Sequence, residues 1–167
     1  MNWQFLAEKV CLPKHPGGYH IFIEDLTKLW KLNVGNGSME AQEGLVQSVT
    51  GKAFLEEVPG KTDVYSFKHS QQTLYLSVNP QSSTVSFVIT KSGWKESEFE
   101  FHVAAKQSRC RISTSLDGSY RVALYSVSAQ KWVRLNEQKQ LVADANTITE
   151  ATELILAPTS VSPIFIE

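Results

Sequence analysis

Cysteine is scarce: Cys11 and Cys110 are the only two in 167 residues. A pair so far apart cannot supply the dense disulfide framework of a small secreted domain, so buried free thiols are expected. Long apolar runs are missing, and none approaches the roughly 18 residues of a membrane span. The start, Met1 to Lys9, lacks the basic stretch and long apolar stretch of a signal or transit peptide, so an intracellular chain away from membranes is expected. Excess charge is missing as well. Sixteen Lys and Arg stand against 17 Asp and Glu, a net charge of -1, which gives no global pull toward nucleic acid or anionic lipid. The length suits one hydrophobic core with room for an appended subdomain.

Catalytic signatures are also wanting. His15, His20, His69 and His102 have no companion at metal-ligand spacing, and the cysteines form no CxxC pair. There is no Gly-x-Ser-x-Gly elbow and no Gly-rich phosphate loop. Glu24 with Asp25, and Glu56 with Glu57, are adjacent at turns, whereas glycosidic acid/base pairs must face each other across a substrate. His20 and His69 fall inside predicted strands, where a satisfied or solvent-facing histidine is the ordinary case. The expectation is a non-enzymatic binding or scaffold protein with no cofactor and no metal.

What the chain does have is strand periodicity. Tyr19, Ile21 and Ile23 point one way and His20 and Phe22 the other, so this strand is apolar on both faces and belongs inside a sheet. Residues 29–34 form a half-buried partner strand with Trp30, Leu32 and Val34 on its apolar face. Residues 63–69, 73–78 and 84–90 follow as a meander, and Phe99, Phe101 and Val103 alternate with Glu98, Glu100 and His102. Further strands are predicted at 3–12, 109–115, 119–126, 131–135 and 153–157, with Asp117-Gly118 as a hairpin turn and Ile164 to Ile166 as a short edge. One short helix is predicted near 38–50, capped by Ser38 and stopped by Gly51. A helix over 128–145 is the weaker alternative to strand and loop. The fold class is therefore mainly β, with antiparallel sheets in a sandwich or barrel-like head and one short helix. Residues 1–105 make a β-rich head and 106–167 a further β-rich region packed on it, or the two form one continuous domain.

Charge is segregated toward the C-terminal side. Lys106, Arg109, Arg111, Arg121, Lys131, Arg134 and Lys139 lie in a window whose acids are Asp117 and Glu137, while residues 140–167 hold four acids and no Lys or Arg. Arg109, Arg111, Arg121, Lys131 and Arg134, with Trp132 between the last two, are the candidate nucleic-acid-binding residues: cations for phosphates and a ring for base stacking. The plainer reading is a solvated outer face partly neutralised by the acidic tail.

At residues 18–34 and 63–90 the chain resembles the globular head of the DNA end-joining scaffold family that includes XLF and PAXX. The matching residues are Gly18-Tyr19, Asp25-Leu26, Trp30 and Val34, then the predicted helix, then Asp63 to Phe67 and the two strands that follow. The resemblance implies a scaffold acting in double-strand-break repair, with other proteins, DNA and further copies of itself as partners, and a nuclear location. The family's helical stalk has no counterpart here, because residues 99–126 read as strands rather than heptads. A second likeness lies at Gly118 to Leu135 with Ser162 to Ile166, similar to the closing strands of β-sandwich accessories on glycoside hydrolases. That likeness implies a non-catalytic, carbohydrate-associated domain; a structural assembly subunit is the third alternative.

Overall fold

The computed structural model describes residues 7–9, 12, 18–24, 29–32, 39–42, 53–69, 74–90, 94–104 and 120–158. Alternating apolar residues drive the chain into short antiparallel strands that fall into three four-strand modules. After an N-terminal strand β1 (Ala7–Lys9), module one holds β2 (Tyr19–Glu24), β3 (Leu29–Leu32), β4 (Met39–Gln42) and β5 (Ala53–Glu57). Module two holds β6 (Tyr65–His69), β7 (Leu74–Val78), β8 (Val85–Ile89) and β9 (Phe99–Ala104). Module three holds β10 (Tyr120–Ser126), β11 (Lys131–Leu135), β12 (Leu141–Ala145) and β13 (Leu154–Pro158). In each the fourth strand starts 34 residues after the first: Tyr19 to Ala53, Tyr65 to Phe99 and Tyr120 to Leu154.

The first and last strands of each module close a barrel of six strands, in the cyclic order β2, β5, β6, β9, β10, β13. The middle strands form three hairpins, β3–β4, β7–β8 and β11–β12, each carried by the first strand of its module. Strand β1 lies along β9, with Lys9 opposite His102. Closure leaves the barrel strands no free edge, the usual hazard of an open sheet.

Alternation fills the barrel. Tyr19, Ile21, Tyr65, Phe67, Tyr120 and Val122 come from the first strands, and Ala53, Leu55, Phe99, Phe101, Leu154 and Leu156 from the last; all belong to one buried cluster. The rings of Phe67 and Phe101 meet edge to face at 5.3 Å, the geometry favoured by ring quadrupoles. The hairpins add a second layer in matching register. Leu76 pairs with Phe87 and Val78 with Val85; in module three Val133 pairs with Ala143 and Leu135 with Leu141. Strand β2 is apolar on both sides, as its sequence implies: Tyr19 through Ile23 are 2% exposed or less. Gly18 opens it with φ +78°, and a Cβ there would come within 2.9 Å of the Ala53 carbonyl oxygen. Glycine meets both demands.

The mainly antiparallel β class holds, and the closed barrel is the form it takes. Helix does not form at the start of the predicted 38–50 segment: Met39–Gln42 is strand β4, paired with β3 from Leu32↔Met39 to Leu29↔Gln42. Met, Glu, Ala and Gln all favour helix, but pairing with an existing strand overrides local propensity. Asn36-Gly37, between the two strands in the sequence, is a common hairpin signal. Residues 43–50 lie outside the described residues. The alternative helix over 128–145 is replaced by β11 and β12. The strand expected at 109–115, the Asp117-Gly118 turn and residues 164–166 also lie outside the described residues. Among the described residues no helix is long and apolar enough to cross a membrane.

Candidate interaction surface

Outward positions on β9, β10 and β11 are brought into one row by register, since Tyr125 sits opposite both Glu100 and Trp132. The next outward position on β10 is Ala123, opposite His102. Its small side chain leaves room for the rings of His102 and Trp132 to meet across β10, with centroids 4.7 Å apart at 69°. Tyr125 meets Trp132 at 4.9 Å and His102 at 6.5 Å. Ala123 is fully buried beneath this trio, while the three rings themselves are half-buried. The result is a rigid aromatic platform on the outside of the barrel.

Charged side chains rim it. Glu100 Oε1 lies 3.1 Å from His102 Nε2, and Lys9 of β1 lies 3.8 Å from Glu100 Oε2. Burial pushes the His102 pKa below its ordinary 6.5, against the upward pull of the Glu100 hydrogen bond and charge. At neutral pH the ring is therefore uncharged. On the other side, Arg134 donates from Nε and Nη2 to the two Asp144 carboxylate oxygens at 2.6 and 3.0 Å. That hydrogen bond raises the Arg134 pKa further above its ordinary value. The bidentate geometry fixes the guanidinium in plane.

The candidate nucleic-acid-binding residues occupy distinct places. Trp132 and Arg134 share the outer face of β11. Lys131 turns the other way, donates to Asn146 Oδ1 and lines an open crevice. Arg121 is near the opposite end of β10, five residues from Ser126, or about 16 Å along an extended strand. There it donates to Glu153 Oε1 at 2.8 Å, with both side chains about 15% exposed. Arg109 and Arg111 lie outside the described residues. The acids that meet Arg121 and Arg134 both come from the acidic segment after residue 140. Sequence reading missed His102, Tyr125 and Glu100. Their common outward parity on predicted strands was available, but the cross-strand register was not. Among the described residues no group of three or more His, Cys, Asp or Glu side chains is placed to hold a metal ion.

The chain matches no model of a known protein family and no curated protein sequence. It is similar in structure to ThreeFoil, a designed 3-fold symmetric protein, with a TM-score of 0.56 over 86% of this chain and 99% of that one. That neighbour is a β-trefoil. Sequence identity is 10%, so the likeness concerns the fold alone: six barrel strands and three hairpins about a threefold axis.

Proposed function

We propose that this protein is a non-catalytic binding protein that acts as a scaffold, and that a partner protein docks on the outer face of β9, β10 and β11. The carrying observation is the Trp132, Tyr125 and His102 platform. Its rings are locked against one another, so little side-chain entropy remains to be lost on binding, and paired charges surround it. An aromatic centre with Trp, Tyr and Arg inside a polar rim is the usual anatomy of an interface hot spot. The resemblance of residues 18–34 and 63–90 to end-joining heads supports double-strand-break repair in the nucleus as the setting.

The test is an affinity screen of the full chain against the Ku heterodimer, blunt duplex DNA ends and a glycan array, with wild-type protein and Trp132→Ala. A protein partner bound by wild type and weakened about 30-fold in Trp132→Ala is expected. Glycan binding with no protein partner would replace this reading with the carbohydrate-associated accessory domain. Direct DNA contact has a separate signature. About four phosphate contacts give a log-log salt slope of roughly -3 to -4, flattened by joint replacement of Arg109, Arg111 and Arg121 with Ser. Because Arg121 and Arg134 are already ion-paired, the weak, slope-free outcome is expected.

A further inference from the structure

Between modules two and three lies an open crevice of about 730 Å³. Its walls come from separate parts of the chain: the segment before β6, the β7–β8 turn, the 3-10 turn Lys95–Ser97, the β10–β11 turn and the end of β12. Lys131 and Trp132 alternate on β11, so Lys131 lines the crevice while Trp132 does not; Asp144, held by Arg134, belongs to its lining as well. Three lysines, Lys61, Lys95 and Lys131, converge on it with Glu96, Glu98 and Asp144. Two of the acids are already committed. Glu98, only 7% exposed, takes Lys61 at 2.6 Å, and Asp144 is held by both arms of Arg134. Lys131 has only the neutral amide oxygen of Asn146, and Lys95 makes no side-chain ion pair among the described residues. The groups left over are therefore two ammoniums against the carboxylate of Glu96, a local excess of one positive charge.

Lys131 is also a departure from the module pattern. Counted along the strand from Val133, the counterpart of Leu76, it takes the station that Leu74 holds in module two. Leu74 packs against the core; Lys131 reaches into the crevice. Positions where a repeated frame abandons its apolar choice are where function is to be sought. The space greatly exceeds a bare oxyanion and falls in the range of small-molecule sites, and Val78, Pro80, Val127 and Ala143 give it an apolar wall. Ser83 and Ser128 add hydroxyls that can donate to an anion.

We propose that this crevice binds a small phosphomonoester, with the phosphate held between Lys95 and Lys131 and the organic body laid against Val78 and Val127. The site is independent of the scaffold surface proposed above. The experiment is a chemical-shift titration of the isotope-labelled full chain with ribose phosphate, AMP, inorganic phosphate, ribose and adenosine. Amides around Ser83, Lys95, Ala129 and Asn146 are expected to move with the two phosphomonoesters, less with inorganic phosphate, and not with the unphosphorylated bodies. Lys131→Gln and the exposed Lys95→Gln should each weaken the phosphomonoesters about tenfold, since each removes a hydrogen bond to a charged group. Lys68→Gln, which removes a positive charge elsewhere, should leave affinity unchanged. Equal shifts with ribose and adenosine, no crevice shifts with either phosphomonoester, or full affinity in both lysine variants would overturn the proposal.

Discussion

Modules two and three share one frame and use their second strand in opposite ways. Along β7, Tyr75, Leu76, Ser77 and Val78 are all buried, whereas along β11 only Val133 is. The register makes the comparison position by position. Tyr75, the counterpart of Trp132, is 4% exposed and donates its hydroxyl to Glu56 at 3.0 Å. Ser77, the counterpart of Arg134, lies under the 3-10 turn with its Oγ 2.6 Å from that of Ser97. The lesson is that the frame needs one apolar station per hairpin strand, filled by Leu76 or Val133, and leaves the others to local cover. In module two the 3-10 turn Lys95–Ser97 lies over the strand and Ser77 joins the core; in module three the 3-10 turn Ile148–Glu150 meets β11 but leaves Trp132 and Arg134 half-buried on its outer face.

The largest effect should come from exchanging the two strands' residues. Ser77→Arg forces a guanidinium beneath the 3-10 turn without a carboxylate to meet it, and a loss of roughly 3–5 kcal/mol or outright failure to fold is expected in chemical denaturation. The reverse change, Arg134→Ser, should leave the midpoint almost where it was. Equal effects in the two directions would remove the distinction between covered and open strands. Next comes Ser77→Ala, which leaves Ser97 buried with one bond fewer and should cost about 1–3 kcal/mol by the same measurement.

Acid should then distinguish the open strand. The folded-state pKa of His102 is lowered by burial, so the unfolded chain binds a proton first as pH falls. Its contribution is complete above the unfolded value of 6.5 and is lost as pH drops through and below it. Melting curves between neutral pH and mild acid should show a decline that His102→Phe reduces; an unchanged slope in that variant would place the titration elsewhere. The smallest effect belongs to the exposed Arg134 and Asp144 pair. Asp144→Asn is expected to shift stability by about 0.5 kcal/mol or less, with any larger loss in a denaturation curve showing that the pair braces β11 against β12.

Strand β11 was legible to the residue in the sequence, because Lys131 to Leu135 carries β-branched and aromatic residues between turn signals. Strand β4 was not, since Met39-Glu40-Ala41-Gln42 has no strand preference and exists only through its register with β3. The threefold repeat left faint marks. Tyrosine opens each module at 19, 65 and 120, and an asparagine follows the second strand at 33, 79 and 136. Asn79 and Asn136 show why that residue recurs: each side chain accepts from backbone amides two residues on, Gln81 at 2.8 Å and Gln138 at 2.9 Å, which shapes the hairpin turn. The remaining core stations interchange Ala, Ile, Phe, Val and Leu, so hydrophobic equivalence hides the period. The basic cluster was misleading to sequence inspection for a related reason. Arg121 and Glu153 are 32 residues apart along the chain and become neighbours only when β10 and β13 pair.

The pairing of β13 with β2, from Ile155↔Phe22 to Pro158↔Tyr19, sets the order in which the molecule can be made. Both sides of the seam are buried, yet its two strands leave the ribosome at opposite ends of the described chain. Each hairpin can form as soon as its own residues emerge, but the ring stays open until Leu154–Pro158 arrives. Contacts of such long sequence separation are slow to form. Until then Tyr19 to Ile23 carries an unpaired apolar edge, the kind of surface on which nascent chains associate wrongly. Closure is therefore the last step in assembling the ring, and the seam is the place where production of this fold is most exposed to failure.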